Sequence, residues 1–227
     1  LGKEKITKES PEYWGLAPIC TDEQALIAIK MGKRKPRTFA QIKKLTKIND
    51  DEYLQKQLDE MSNNGLIEYN WENPQHEKQY VLPMYVPGSA EFTNMNADVL
   101  RDHPEMGRFF ERMSRLPLEK VTPMVPLGGA GIGMHVIPVE KAIEMENHSV
   151  SVEHISHWLD KYEGKDAASP CSCRRSRVTY DEGCADDPEG WCIAVGDMAD
   201  YVVETNKGGR YITREEVYEI LEQAEEN

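Results

Sequence analysis

The sequence predicts an α+β fold in two parts, with a helical N-terminal domain over residues 1–90 and a C-terminal domain over residues 91–227. Three observations predict it: helix-capping pairs precede amphipathic segments, two alternating segments flank a polar turn, and four cysteines crowd into one short stretch near the C-terminus. The 227 residues are 39% hydrophobic and 30% charged, a composition typical of globular proteins and unlike that of disordered ones.

Three helices are predicted between residues 21 and 62. Thr21 with Gln24 and Thr38 with Gln41 have the spacing of capping boxes, in which each side chain bonds the other residue's backbone N–H. Asp50, or the residue before it, is expected to cap the third helix, where apolar residues recur every three or four positions. A short Asn-Asn-Gly sequence then ends the helical pattern.

A β-hairpin is predicted next, because residues 66–71 and 79–82 alternate in polarity around a polar turn. Three helices followed by a hairpin is the order of a winged helix-turn-helix, which residues 21–83 resemble. In that superfold the third helix enters the major groove of DNA. Here it begins Asp50-Asp51-Glu52, which would repel phosphate. Protein contact or homodimer formation is therefore the expected use, and nucleic-acid binding is not.

The middle of the chain gives weaker signals. Residues 83–96 are expected to form an extended linker and residues 99–116 a helix. The glycine-rich stretch 128–133 lacks the G-x-G-x-x-G register of dinucleotide-binding loops and leads into a predicted strand at 134–139, so it is interpreted as a linker or turn. A short helix over residues 140–145 is expected to follow.

The C-terminal part is predicted to be mainly helical and loop-rich. Ser151 is expected to begin a helix that runs to about residue 162, and residues 197–203 to form a short helix or strand. The segment 170–193 is expected to be loop-rich. Thr213 and Glu216 form a capping-box pair at the start of a final helix over residues 214–226.

Charge excludes some partners. The net charge is −13, and residues 84–227, with 14 basic and 27 acidic side chains, account for all of it. Such a surface repels nucleic acid and anionic membranes and suits basic or protein partners such as electron carriers. No apolar run approaches the ~20 residues that span a bilayer, and no signal peptide is evident. The expected compartment is the cytoplasm, and the chain, which lacks an initiator Met, is interpreted as a fragment.

Four of the five cysteines predict a metal centre. Cys171, Cys173, Cys184 and Cys192 lie within 22 residues, whereas Cys20 stands apart and is expected to be a small buried residue. Thiolates are soft ligands that favour zinc or iron–sulfur clusters. The Cys-x-Cys spacing matches neither the usual zinc pair nor the bacterial ferredoxin run. Buried thiols, or a labile disulfide such as one between Cys173 and Cys184, remain alternatives.

Neighbouring residues fit thiolate chemistry. Arg174, Arg175 and Arg177 follow the first pair, and their charge would lower thiolate pKa values and offset a negatively charged cluster. His154 and His157 share a helical face upstream and could join the metal site, although a surface or capping role is favoured for them.

A wider pattern surrounds these cysteines. It consists of Pro170-Cys171-Ser172-Cys173-Arg174-Arg175, Gly183-Cys184, Trp191-Cys192-Ile193, Gly196, Ala199, Tyr201, Tyr211-Ile212-Thr213-Arg214-Glu215-Glu216 and Ala224-Glu225-Glu226. Over roughly residues 134–227, this resembles a family of iron–sulfur-binding proteins from anaerobic bacteria and archaea. Members of that family often continue into a ferredoxin-like segment, and some are fused to a flavin- and NAD(P)-dependent oxidoreductase. The present chain ends where that segment would begin.

The resemblance implies an electron-transfer module of an anaerobic oxidoreductase system. Its cofactor would be an iron–sulfur cluster, with [4Fe–4S] favoured, held by the four clustered cysteines, and its partner would be a flavoprotein or a ferredoxin. Arg174 and Arg175 would tune the charge. Two alternatives stay open: a structural zinc module, and a winged-helix regulator of DNA or protein binding whose cysteine site senses redox state or metal.

Overall fold

A computed structural model describes residues 7, 13, 15–86, 88–111, 155–162, 164–182 and 190–226. In these residues helices surround two small antiparallel sheets, which confirms the α+β class. The predicted elements at 134–139 and 140–145, the glycine-rich stretch, His154 and Cys184 lie outside the described residues.

The helices and strands are as follows, in chain order. They are α1 (Asp22–Met31), β1 (Arg37–Thr38), α2 (Phe39–Thr46), α3 (Asp51–Asn63), β2 (Glu68–Asn70), β3 (Gln79–Val81), α4 (Ser89–Met95), α5 (Ala97–Asp102), α6 (helical residues 105–111), α7 (Ile155–Lys161), β4 (Asp166–Ser169), α8 (Ser172–Val178), β5 (Cys192–Val195), α9 (Asp197–Glu204), β6 (Arg210–Ile212) and α10 (Arg214–Glu226). None of these helices is long and apolar enough to cross a membrane.

The predicted capping residues begin the helices. The Thr21 hydroxyl accepts from the Gln24 N–H at 3.2 Å, while the Gln24 side chain accepts from the Thr21 N–H at 3.1 Å. Thr38 and Gln41 repeat this exchange at the start of α2, and Asp50 caps α3 through the Tyr53 N–H at 3.0 Å. Local hydrogen bonds therefore fix three helix starts where the sequence placed them.

The first sheet has the order β1-β3-β2, with both pairs antiparallel. Its hairpin follows α3 after a tight turn at Gly65, whose φ is +82°. A Cβ at this position would lie 2.6 Å from the backbone of Phe92 and Thr93. Only glycine fits both the backbone angle and the close approach of α4.

The second sheet has the order β5-β4-β6 and was not predicted. The middle strand β4 is buried along its whole length, and its Ala167 and Ala168 allow neighbouring elements to approach closely. Helix α9 packs against β4, and the same helix also contacts β2 of the first sheet. The C-terminal part was predicted to be mainly helical and loop-rich; in addition it contains this sheet.

One hydrophobic core includes residues from both sides of position 90. Leu58 and Ile67 share it with Ala199 and Tyr201, and the Tyr201 hydroxyl donates to the Ile67 carbonyl at 2.8 Å. The predicted boundary between domains falls within α4. The two parts of the chain thus meet along a continuous apolar surface.

A buried lysine closes the C-terminal end of α3. Lys207 has no exposed surface, and its ammonium donates to the carbonyls of Ser62, Asn63 and Thr205 at 2.8, 2.7 and 2.7 Å. The last carbonyls of a helix have no partner within the helix, so a buried helix end needs outside donors. Lys207 supplies them from a loop 145 residues later in the chain.

Two predictions for irregular structure were wrong. The linker predicted at 83–96 contains α4, because Glu91 accepts from the Gly88 N–H at 2.6 Å and begins a helical turn there. The segment 170–193 was predicted to be loop-rich, without the helix α8 and the start of β5 that it contains. Both helices are only seven residues long and depend on tertiary packing.

Replacing Lys207 with methionine should destabilise the protein by about 2 kcal/mol, because buried carbonyls lose a donor while the side-chain volume is kept. Urea denaturation of both proteins measures the difference. The control is Lys165→Met, which removes an exposed pairing with Asp200 and should cost less than about 1 kcal/mol. Equal stabilities of K207M and wild type would refute the capping role.

The same variant gives a pH prediction. Burial lowers the pKa of Lys207 to about 7, whereas an unfolded lysine titrates near about 10.4. Between these two pKa values Lys207 is protonated in the unfolded state but not in the folded state. The unfolded state therefore binds more protons, and the free energy of unfolding should rise with pH. Wild type should therefore gain stability relative to K207M between about pH 7 and pH 9.5. A pH-independent difference between the two would contradict this assignment.

Candidate metal centre

Cys171 lies between a strand and a helix. Strand β4 ends at Ser169, Pro170 follows, and Cys171 is the N-cap of α8 with extended backbone angles. The loop that carries Lys207 supports this entry, since a Cβ on Gly208 would lie 3.2 Å from the Pro170 ring. The Cys171 sulfur therefore sits where the free N–H groups of α8 begin.

The other two described cysteines of the cluster approach from different directions. Cys173 is exposed in the first turn of α8, and Cys192 is the half-buried first residue of β5. In the β4–β5 register Cys192 pairs with Ser169, two residues before Cys171. Strand pairing thus brings Cys192 to the start of α8 although 20 residues separate it from Ser172 in the sequence.

The Cys171 thiol contacts the thiols of Cys173 and Cys192. Cys171 exchanges side-chain hydrogen bonds with both Cys173 and Cys192, and all three carry free thiols. The backbone N–H groups of Arg174 and Cys173 also point at the Cys171 sulfur, and the Ser172 N–H points at that of Cys192. This is a set of sulfur atoms surrounded by hydrogen-bond donors.

These contacts favour one negative charge on the set. The hydrogen bonds from Cys173 and Cys192, followed by the backbone donors, lower the pKa of the Cys171 thiol. The hydrogen bond to Cys171, followed by burial, raises the pKa of the Cys173 and Cys192 thiols. A thiolate at Cys171 is therefore stabilised by its neighbours, and a thiolate is the form that binds metals.

Three of the four predicted ligands are thus brought together. The fourth, Cys184, lies outside the described residues. Among the residues that are described, no group of three or more His, Cys, Asp or Glu side chains is arranged to hold a metal ion. The Cys171 and Cys192 sulfurs nevertheless accept backbone N–H groups, as ligand sulfurs in thiolate-bound centres commonly do.

The other predicted site residues have separate contacts. The Arg174 guanidinium lies 4.4 Å from the centre of the Trp191 ring, and Arg175 donates to the Met95 carbonyl at the end of α4. Arg177 pairs with Glu111 at 3.3 Å. His157 lies edge-on against Trp158 in α7. The proposed tuning by Arg174 and Arg175 stays a prediction.

One nearby residue was missed. Glu91 in the first turn of α4 acts electrostatically on Cys173, whose pKa it raises further. Its segment was predicted as linker, so its carboxylate was not considered. The Gly88-to-Glu91 spacing of a helix start was the available signal, but Gly88 has no side chain to complete a capping box.

Comparisons with protein-family models, with curated proteins and with solved structures give no match for this chain. What the site does is therefore argued from its own geometry and chemistry.

Close packing behind the cysteine helix can be tested at Gly107. A Cβ here would lie 2.8 Å from the Thr179 methyl carbon at the end of α8. Gly107→Ala should lower the free energy of unfolding by about 1–3 kcal/mol through overpacking. Thermal or urea denaturation measures this. In a Thr179→Ala background the cost should shrink, and an unchanged cost there would show that Thr179 is not the obstacle.

Proposed function

We propose that this chain is an electron-transfer module that holds an iron–sulfur cluster through Cys171, Cys173, Cys184 and Cys192. The observation that carries the proposal is the contact of the Cys171 thiol with those of Cys173 and Cys192, which come from two separate elements of the fold. A structural role for free thiols would not require them to meet around shared backbone donors. Four thiolates are the usual ligand set of [2Fe–2S] and [4Fe–4S] clusters.

The chain's own residues would adjust such a centre in two ways. Backbone N–H groups at the start of α8 would donate to ligand sulfurs, and such donors raise the reduction potential of thiolate-bound iron. The exposure of Cys173 places one edge of the site at the protein surface. A cluster bound here would supply reversible one-electron chemistry, and the exposed edge would give a partner access to it.

The proposed partner is another redox protein, a flavoprotein or a ferredoxin, within an oxidoreductase system in the cytoplasm. The acidic balance of residues 84–227 supports a protein partner and disfavours nucleic acid. [4Fe–4S] is the favoured cluster. Zinc is the competing occupant, since it also takes four thiolates, and it would make the site a structural clip.

A second candidate function is that of a winged-helix regulator. Residues 21–83 have three helices, a hairpin, and a short strand β1 that joins β3, which supports a winged-helix arrangement. Helix α3 begins with Asp51 and Glu52, and a shallow groove along it also contains Asp59 and Glu60. These charges favour protein contact, including a homodimer, over DNA. Tight, salt-dependent binding of duplex DNA would overturn this assignment.

Metal analysis of protein purified without oxygen tests the proposal. Iron and acid-labile sulfide should be present with a broad visible absorption band. Cys171→Ser and Cys192→Ser should each reduce iron and sulfide at least about tenfold, because each removes a ligand. The matched control is Cys20→Ser, since the Cys20 thiol donates to the Thr21 carbonyl far from the cluster in sequence and should leave metal content unchanged.

Two results would contradict the proposal. Unchanged iron in C171S and C192S would remove the ligand assignment. About one zinc per chain without visible absorption would replace the redox function with a structural one.

A further inference from the structure

Three aromatic side chains and one lysine lie on the same face of the β2–β3 hairpin. Tyr69 and Tyr80 are opposite each other in the strand register. Trp71 comes two residues after Tyr69, and Lys78 comes two residues before Tyr80. Because side chains alternate between the faces of a strand, this spacing brings all four to one side of the hairpin.

The three rings, called the aromatic box below, surround the Lys78 ammonium. Its nitrogen lies 3.6 Å from the centre of the Tyr69 ring, 5.6 Å from that of Trp71 and 5.7 Å from that of Tyr80. The Trp71 and Tyr80 rings are each inclined at 78° to the Tyr69 ring, so Tyr69 is the floor of the box and the other two are its walls. Aromatic faces attract a cation at these distances. A second cation, Lys165, lies 5.8 Å from the Trp71 ring centre, but its ammonium pairs with carboxylates of α9.

The aromatic box is held in place by two helices. The Tyr69 hydroxyl donates to Glu204 on α9 at 2.7 Å, and the Tyr80 hydroxyl accepts from Gln55 on α3 at 2.9 Å. The backbone N–H of Trp71 donates to the side chain of the first residue of α9 at 2.8 Å. Tyr69 and Tyr80 are only 3% and 2% exposed. These contacts fix the rings independently of what lies between them.

The lysine in the box is a replaceable occupant. Lys78 is half-buried, and its ammonium forms no hydrogen bond with any residue that the structure describes. Burial lowers the pKa of Lys78, while the carboxylates of Glu204 and Asp59 act in the opposite direction and favour a cation here. The adjoining turn is closed separately by two hydrogen bonds between Asn73 and Glu77, of 2.6 and 3.1 Å. Rotation of one side chain therefore opens the box without moving the hairpin.

The chemistry of a better occupant follows from these contacts. A primary ammonium has three N–H donors, which ring faces satisfy poorly. A trimethylammonium group carries the same charge without any N–H, and its methyl groups can contact the ring carbons directly. The aromatic box therefore suits a trimethylammonium group better than it suits the lysine that fills it.

We propose that Tyr69, Trp71 and Tyr80 form a binding site for a trimethylammonium group, and that Lys78 covers this site until such a ligand displaces it. The inference goes beyond the iron–sulfur function and does not depend on what the cysteines bind. Lys78 reduces the apparent affinity, because only molecules with an open box can bind the ligand. The group can belong to a small alcohol such as choline or to an Nε-trimethyllysine side chain.

The experiment is a titration of the full chain with choline and, separately, with Nε-trimethyllysine. Proton NMR follows the N-methyl resonance of each probe, since ring currents shift a methyl group above an aromatic face upfield. Lys78→Ala should bind the better probe about tenfold more tightly than wild type, because the competing ammonium is gone. The probe that binds more tightly identifies the source of the group. In the K78A background, Trp71→Leu should weaken binding about tenfold by replacing one aromatic wall with an aliphatic side chain.

Two controls test whether the effect belongs to the aromatic box and to the charge. Lys161→Ala removes a lysine that also lies over two rings, those of Trp158 and Tyr162 at 5.1 Å each, but at an exposed position of α7. It should leave binding at the wild-type level. The uncharged isostere of choline, in which a tert-butyl group replaces trimethylammonium, should bind K78A at least about tenfold more weakly than choline.

Three results would overturn the inference. One is the absence of any N-methyl shift with either probe for K78A whose circular dichroism matches that of wild type. Another is equal affinity of K78A and wild type, which would show that Lys78 does not cover the site. The third is equal binding of the uncharged isostere, which would make the site apolar and not cation-selective. Lys78→Thr, whose side chain suits a strand, should behave as K78A does and keeps the test decisive if K78A does not fold.

Discussion

The structure depends on how the end of α3 is satisfied. This helix ends against segments from later in the chain, and its last carbonyls have no partner within the helix. Side chains from later in the chain donate to them instead, and the carbonyls of residues 62, 63, 64, 66 and 67 are all bonded in this way. The donors are Lys207, Tyr201, Asn96, Thr93 and Ser89. A buried ammonium is costly, and the three carbonyl acceptors of Lys207 offset part of that cost.

These donors also position the thiols. Helix α4, which supplies Ser89 and Thr93 to the turn, also packs against α8. The loop of Lys207 reaches the same turn, and its Gly208 lies against Pro170, just before Cys171. Both elements therefore contact the α3 turn and the cysteine site. The location of the site follows from the packing of the N-terminal helices as well as from its own sequence.

Local signals predicted the local parts of this structure. Capping boxes at Thr21, Thr38 and Thr213 marked helix starts because all of their hydrogen bonds lie within four residues. Strand β4 escaped prediction because Asp-Ala-Ala-Ser has no β-branched or aromatic residue and becomes a strand only between two partners. The contact of Cys171 with Cys173 could be expected from their spacing in the sequence. The position of Cys192 beside them depends on the pairing of β4 with β5. Lys207 and Glu91 act on residues more than 80 positions away, which no sequence window could show.

The turn after α3 is held through its backbone carbonyls, and this affects which substitutions the sequence can accept during evolution. Lys207 binds the carbonyl oxygens of residues 62 and 63, which every amino acid has, so this contact does not depend on the side chains at those two positions. Of these positions, Asn63 is exposed and should tolerate substitution as long as the backbone keeps its path, whereas Ser62 is buried and the Asn64 side chain donates to the Ile19 carbonyl at 3.3 Å. Gly65 cannot be replaced in this way, because its left-handed backbone and close neighbours leave no room for a Cβ. Lys207 cannot be replaced either, because its long side chain carries the donors for three carbonyls. Among related sequences, position 63 would therefore vary, while the glycine at position 65 and the lysine at position 207 would be kept.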